Sequence, residues 1–177
     1  MLVENTFIKG LNLLHYNKFL DSRGFFYKPI DFKIFKELDF NFQNFESFFS
    51  ISKKNVIRGM HLQTNPNGIK KFIYLTNGSI LDVILDVRPN SETYGKYYTI
   101  TLNLNNPVII SIPYGCAHGF LSLEENSIIT YFESEKYNEN YDFGLRYDSF
   151  GFKWPVENPI VSERDKSLLN FNEFKLV

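Results

Sequence analysis

The chain has 177 residues and a formal net charge of −1, a size that suits one domain, spanning 1–177, with a substantial core. So balanced a charge sets up no long-range field for nucleic acid or an anionic membrane surface. One cysteine, Cys116, allows no internal disulfide framework; with no basic-then-apolar leader and no apolar run of spanning length, the expectation is a soluble cytoplasmic protein.

Aromatic residues form 18% of the chain, with 19 Phe and 11 Tyr. Such residues favour strands, core filling and contact with flat-ring ligands. In chain order, Asp31–Leu38 reads as a short helix capped by Asp31, with Phe32, Phe35 and Leu38 at helical spacing. Residues 55–63 read as a strand. Alternation sends Arg58 and His61 to opposite faces unless Gly59 marks a bulge that re-aims them. A guanidinium binds anions and an imidazole moves protons near neutral pH, so the pair suits a site. The competing reading is an edge strand with two solvated polar groups.

Ile69–Leu75 is a further strand, in which either Lys70 or Lys71 points inward. Asn77-Gly78 then predicts a tight hairpin into Ile80–Val87, where Asp82 and Asp86 share one face. Tyr97–Leu104 alternates well, and Asn105-Asn106-Pro107 turns it into Val108–Ile112. Pro113-Tyr114-Gly115 precedes an apolar run around Phe120-Leu121, and Ser127–Glu133 is one more strand. A second short helix is expected over Ser162–Asn170, with Ser162 at its N-cap. Strands at this spacing, joined by turn residues, give an all-β antiparallel sandwich or barrel with few helices.

Several segments match one family in order and spacing. They include Asp21-Ser22-Arg23-Gly24-Phe25-Phe26, Lys53 to His61 with its Arg-Gly-Met-His core, Lys71-Phe72-Ile73 and Gly78 to Val83. Asp86-Val87-Arg88, Thr93-Tyr94-Gly95, Ala117-His118-Gly119-Phe120, Trp154-Pro155 and Ser162-Glu163-Arg164-Asp165 continue the series. Over about residues 5–168 the chain resembles the dTDP-4-dehydrorhamnose 3,5-epimerase family, cupin-type jelly rolls acting on nucleotide-linked 4-keto sugars. The resemblance implies His61 as the base, held by Asp165, with Lys71 near the enolate oxygen and Tyr131 supplying a proton from the opposite face. It also implies phosphate contacts by Arg58 and Arg23, a cavity-lining His118 and a homodimer with strand exchange. With only His15, His61 and His118 and no His-x-His pair, no metal is expected, and no cofactor is called for. Read from the residues alone, Tyr131 suits a core tyrosine, Asp165 a helix cap and His118 a structural role. His15 reads as a surface histidine and Cys116 as a small buried residue.

The nucleotide pocket departs from the family pattern. A family glutamate is replaced by Lys28, and a glutamine and an asparagine near the thymine are replaced by Glu46 and Phe48. A carboxylate can face the paired N–H donors of a guanine edge. The expectation is therefore a GDP-linked 6-deoxy-4-keto hexose or heptose for a surface polysaccharide, inverted at C3 and/or C5. A Lys28–Glu46 salt bridge with thymidine still bound is the competing reading. Further alternatives are a metal-dependent cupin enzyme and a catalytically silent sugar-nucleotide-binding jelly roll.

Overall fold

The computed structural model describes residues 2–40, 42–43, 45–64 and 68–176. Strands β1 (Leu2–Asn5) and β2 (Asn12–His15) open the chain. A short hairpin of β3 (Phe19–Asp21) and β4 (Gly24–Phe26), helix α1 (Phe32–Glu37) and β5 (Glu46–Ser52) follow. Then come β6 (Ile57–Gln63), β7 (Lys71–Asn77), β8 (Ser79–Asp86) and β9 (Tyr97–Asn103). The chain continues through β10 (Val108–Ile112), β11 (Cys116–Ser122), β12 (Ser127–Glu133), β13 (Asp142–Gly144) and helix α2 (Glu163–Lys166).

A six-stranded antiparallel sheet, ordered β1-β2-β10-β7-β12-β5, packs against a five-stranded one, ordered β13-β6-β11-β8-β9. Between β5 and β13 the chain changes sheet at every connection except β8 to β9. That alternation is the double-sheet jelly roll expected from the sequence. It also corrects one expectation. Asn77-Gly78 is a corner between opposite sheets, because β7 and β8 do not pair. Gly78 has φ of +79°, and a Cβ there would lie 2.5 Å from the Ser127 hydroxyl. A primed hairpin turn and a sheet-to-sheet corner both need positive φ, so the dipeptide alone does not separate them.

Inward residues of both sheets form the central core, among them Ile73, Ile84, Ile110, Phe120 and Ile129. Strand β12 shows the pleat plainly: Ser127, Ile129, Tyr131 and Glu133 are buried, while the residues between them are half-exposed. The outer face of the six-stranded sheet is covered by α1, whose Phe35 ring stacks on Phe72 with centroids 4.0 Å apart. Asp31 caps that helix as expected, its carboxylate accepting from the Lys33 N–H. Aromatic residues of the C-terminal segment, including Phe150 and Phe174, pack over Met60, Leu62 and Val83 of the other sheet. Many phenylalanines therefore cover sheet faces, and β8 is buried almost throughout because both its faces are covered. The second helix is shorter than expected. It spans Glu163–Lys166, with Ser162 as its N-cap.

Candidate active site

Strand β6 lies between β13 and β11, which overturns the edge-strand reading of Arg58 and His61. On β11, His118 faces His61 and Phe120 faces Arg58, so Gly59 and Met60 together oppose Gly119 alone. This is a β-bulge, and the extra residue cancels the alternation of the pleat. Arg58 and His61 consequently line one cavity between the sheets. The Gly59–Met60 peptide is cis, and Gly59 adopts φ of +122°. A Cβ on Gly59 would fall 2.5 Å from the Gly119 Cα and 2.7 Å from the His118 carbonyl oxygen, so only glycine fits.

The cavity has a volume of about 380 Å³. On its β6 side, His61 Nε2 lies 2.8 Å from Asp165 Oδ1. The Gly59 N–H donates to the other carboxylate oxygen at 3.1 Å. The Asp165 N–H in turn donates to the Ser162 hydroxyl, so the N-cap of α2 orients the carboxylate. Asp165 thus sits in a capped helix turn and is also the histidine's partner. Burial raises its carboxyl, but bonds from His61, Gly59 and Ser162 outweigh that and hold it below the ordinary aspartate value. Such a partner fixes the imidazole and stabilises its cation. Beside them, Arg164 Nη1 is 3.4 Å from His61 Nε2, and Arg164 Nη2 donates to Asp142 at 2.7 Å.

A second histidine–aspartate pair lies deeper, with His118 Nε2 2.6 Å from Asp82 Oδ1 and both residues buried. Burial raises the Asp82 carboxyl, and His118 lowers it by less. Tyr131 projects from the opposite sheet, its ring 6.1 Å from that of His118 and stacked on Phe48 at 4.8 Å. Burial pushes its hydroxyl well above the usual tyrosine range, against smaller lowering by Ser50 and Arg58. A phenol so placed keeps its proton at neutral pH and has the chemistry of a general acid on that side of the cavity. Lys71 is the inward lysine, paired with Glu133 at 2.8 Å, whereas Lys70 points outward to Asp39 and the Leu38 carbonyl.

The residues singled out for the nucleotide divide into two groups. Arg58, Glu46, Phe48 and His118 line the cavity with the histidine, lysine and tyrosine. Arg58 is held by the Ser52 hydroxyl and the Ile51 carbonyl, and Glu46 Oε2 accepts from the Tyr137 N–H at 3.0 Å. Arg23 and Lys28 are not brought there within one chain. Arg23 sits on the β3–β4 hairpin, its side chain 88% exposed and paired with Asp21. Lys28 pairs with Asp31 at 3.7 Å, so the Lys28–Glu46 bridge is not formed. His15 also has a partner, Glu4, at 2.8 Å. Sequence reading missed Gln63, Glu133, Tyr137, Asp142 and Arg164 as cavity groups, and Asp82 as the buried partner of the cavity-lining His118. The shared face of Asp82 and Asp86 was the available signal for that aspartate, while β5, with aromatic residues on both faces, did not read as a strand at all.

Known proteins share both the sequence pattern and the fold. Residues 5–173 match the family model described as dTDP-4-dehydrorhamnose 3,5-epimerase. A relative of that name from Methanothermobacter thermautotrophicus is 34% identical, with 94% of each chain covered. The Escherichia coli relative is 32% identical, covering 98% of this chain and 96% of its own. Among solved structures, the Sulfolobus tokodaii enzyme of the same name superposes with a TM-score of 0.90 at 33% identity, covering 99% of both chains. The Legionella pneumophila enzyme, solved with dTDP-4-keto-L-rhamnose, gives 0.90 at 28% identity over 98% of this chain and 94% of its own. With the fold and these matches in agreement, the chain belongs to the dTDP-4-dehydrorhamnose 3,5-epimerase family and is a nucleotide-sugar epimerase.

Proposed function

We propose that this chain inverts C3 and/or C5 of a nucleotide-diphosphate-linked 6-deoxy-4-keto sugar through an enolate. One observation carries the reading: a carboxylate-held imidazole on one sheet and a buried phenol on the other line the same cavity. Inversion requires removal of a proton from one face of the ring and its return on the other. His61 takes the proton, and the C–H electron pair moves into a carbon–carbon double bond as the ketone oxygen becomes an oxyanion. Lys71 supplies a fixed positive charge there. Tyr131 gives its proton to the carbon from the opposite face, and solvent restores both side chains. Asp165 keeps the imidazole oriented and offsets its charge while it holds the proton.

The diphosphate is assigned to Arg58 from the chain itself and to Arg23 from a second copy. Arg23 on an exposed hairpin supports that division, as do its neighbours Phe19, Leu20 and Phe26, exposed by 62%, 75% and 65%. The working unit is then a homodimer that completes each site with its partner's hairpin. For the base we favour guanine, because Glu46 lines the cavity and Lys28 is engaged by Asp31 instead of neutralising it. A carboxylate presents acceptors to both the ring N–H and the amino group of guanine. The product would be a 6-deoxy-4-keto hexose or heptose for a surface polysaccharide, made in the cytoplasm.

The test is proton NMR in D₂O with GDP- and dTDP-linked 4-keto sugars. Deuterium is expected to wash into C3, C5 or both, with the GDP form preferred. Ligand binding without exchange would sink the catalytic reading, and tighter binding of dTDP than of GDP would sink the guanine assignment alone.

A further inference from the structure

Glu133 is a buried charged residue of the cavity wall that the mechanism above leaves unused. It ends β12 on the inward face, two positions beyond Tyr131, and its side chain is 3% exposed. Across the six-stranded sheet it stands between Glu46 on β5 and Lys71 on β7. Its Oε1 lies 2.8 Å from Lys71 Nζ, and its Oε2 accepts from Gln63 Nε2 at 3.2 Å. Gln63 is itself pinned from the other end, its Oε1 accepting from the Asn138 N–H at 3.0 Å. The ammonium of Lys71 is therefore held by a chain that runs from the loop after β12, through β6, to β12 and across to β7.

Such a pair is poorly explained by folding alone. Desolvating two charges costs about as much as their attraction returns, and apolar residues of similar volume usually serve stability as well or better. The inward position four residues earlier is the isoleucine Ile129. A carboxylate beside Lys71 in a substrate cavity needs another reason. Without it, a four-carbon stem leaves the ammonium several rotamers, and a charge that must meet one oxygen loses most of its effect when it is displaced.

We propose that Glu133 is a positioning residue for Lys71: it fixes the ammonium at the place where the ketone oxygen gains charge, and Gln63 fixes Glu133. The proposal rests on the reading of Lys71 as the cation at that oxygen. It goes beyond that reading by assigning Glu133 and Gln63 to the turnover step and not to substrate capture.

Two measurements on the full-length protein test it. The first is kcat and KM for wild type, Glu133→Gln and Gln63→Leu on the preferred 4-keto sugar nucleotide. Glu133→Gln keeps size and shape, and is expected to lower kcat about 10- to 100-fold with KM changed less than about threefold. Gln63→Leu leaves the ion pair in place, and is expected to show a smaller loss of the same kind. It also decides the matter if Glu133→Gln does not fold, as judged by thermal melting. The second measurement is the ¹⁵N–¹H spectrum of the lysine ammonium groups, with the Lys71 signal assigned by its loss in Lys71→Met. A held ammonium gives a slowly exchanging signal in wild type that disappears in Glu133→Gln. The proposal is overturned by unchanged kcat, by a loss confined to KM, by a lowered kcat with the ammonium signal intact, or by absence of that signal from wild type. Failure of wild type to turn over any 4-keto sugar nucleotide would instead count against the proposed function, and the ammonium spectrum would still report whether Glu133 holds Lys71.

Discussion

Asp165 shows how much one side chain can be asked to do when its two oxygens face different neighbours. One oxygen meets the His61 ring and the other takes the Gly59 N–H, so the same carboxylate steadies the imidazole and the bulge that aims it. Asp86 is the comparable case away from the site. Burial raises its carboxyl, but bonds from Arg88, Ser91 and Thr93 outweigh that and bring it from 3.8 down to about 2. Because the folded value lies below the unfolded one, this stabilisation is fully present above about pH 4 and fades as pH falls toward 2. Asp86→Asn should lose about 1–3 kcal/mol of stability at pH 7. Urea unfolding should show the gap to wild type closing between pH 4 and 2, and a gap constant with pH would contradict the linkage. At this scale the sequence was legible where chemistry is local. Cys116 is buried as expected, its thiol pushed up to about 12 by that burial. Whether Lys70 or Lys71 faces inward was undecidable locally, because parity depends on where β7 pairs.

At the scale of elements, β6 carries the decisive irregularity. Its register skips one residue opposite Gly119, and two side chains that strict alternation would separate share a cavity. Gly59→Ala places a Cβ against Gly119 and the His118 carbonyl at a positive φ. The expected cost is about 2–4 kcal/mol, with activity reduced further than stability because Arg58 and His61 no longer share one aim. Comparing thermal melting with residual turnover checks this, and wild-type activity in a folded variant would refute it. The glycine could be read from the sequence as a possible bulge, since only a glycine tolerates such backbone. The corner at Asn77-Gly78 was misread because its positive φ suits two different connections. Strand β5 went unseen because Phe48 and Phe49 put aromatic rings on both of its faces, which erases the period-two pattern.

For the whole molecule, the β3–β4 hairpin is the part that a single chain leaves unexplained. Among the described residues its strands pair only with each other; it carries Arg23 and exposes apolar side chains to solvent. If it serves a second copy, Arg23→Ala and His61→Asn chains should each be inactive as homodimers yet complement when mixed. Random exchange makes half the dimers mixed, each with one intact site of two, so about a quarter of wild-type activity should return. No recovery after confirmed exchange would place Arg23's role within its own chain or nowhere. An antiparallel sandwich or barrel was legible from strand spacing and turn residues, and the resemblance narrowed it to a jelly roll. The joining of His61 to Asp165 was not, because 104 positions separate them and no local pattern spans that distance. It was reached by resemblance alone.

That separation in sequence is short in space once the sheets are in place. Strand β13 pairs with β6 so that Gly144 stands opposite His61, and Ile160 bonds back to Asn55 and Ile57 on the other side of Gly59. The chain between β13 and α2 is therefore a strap fastened near both ends, and it carries the Asp165 carboxylate back to the imidazole. A nick in that strap is expected to leave both sheets paired while loosening the aspartate that orients His61.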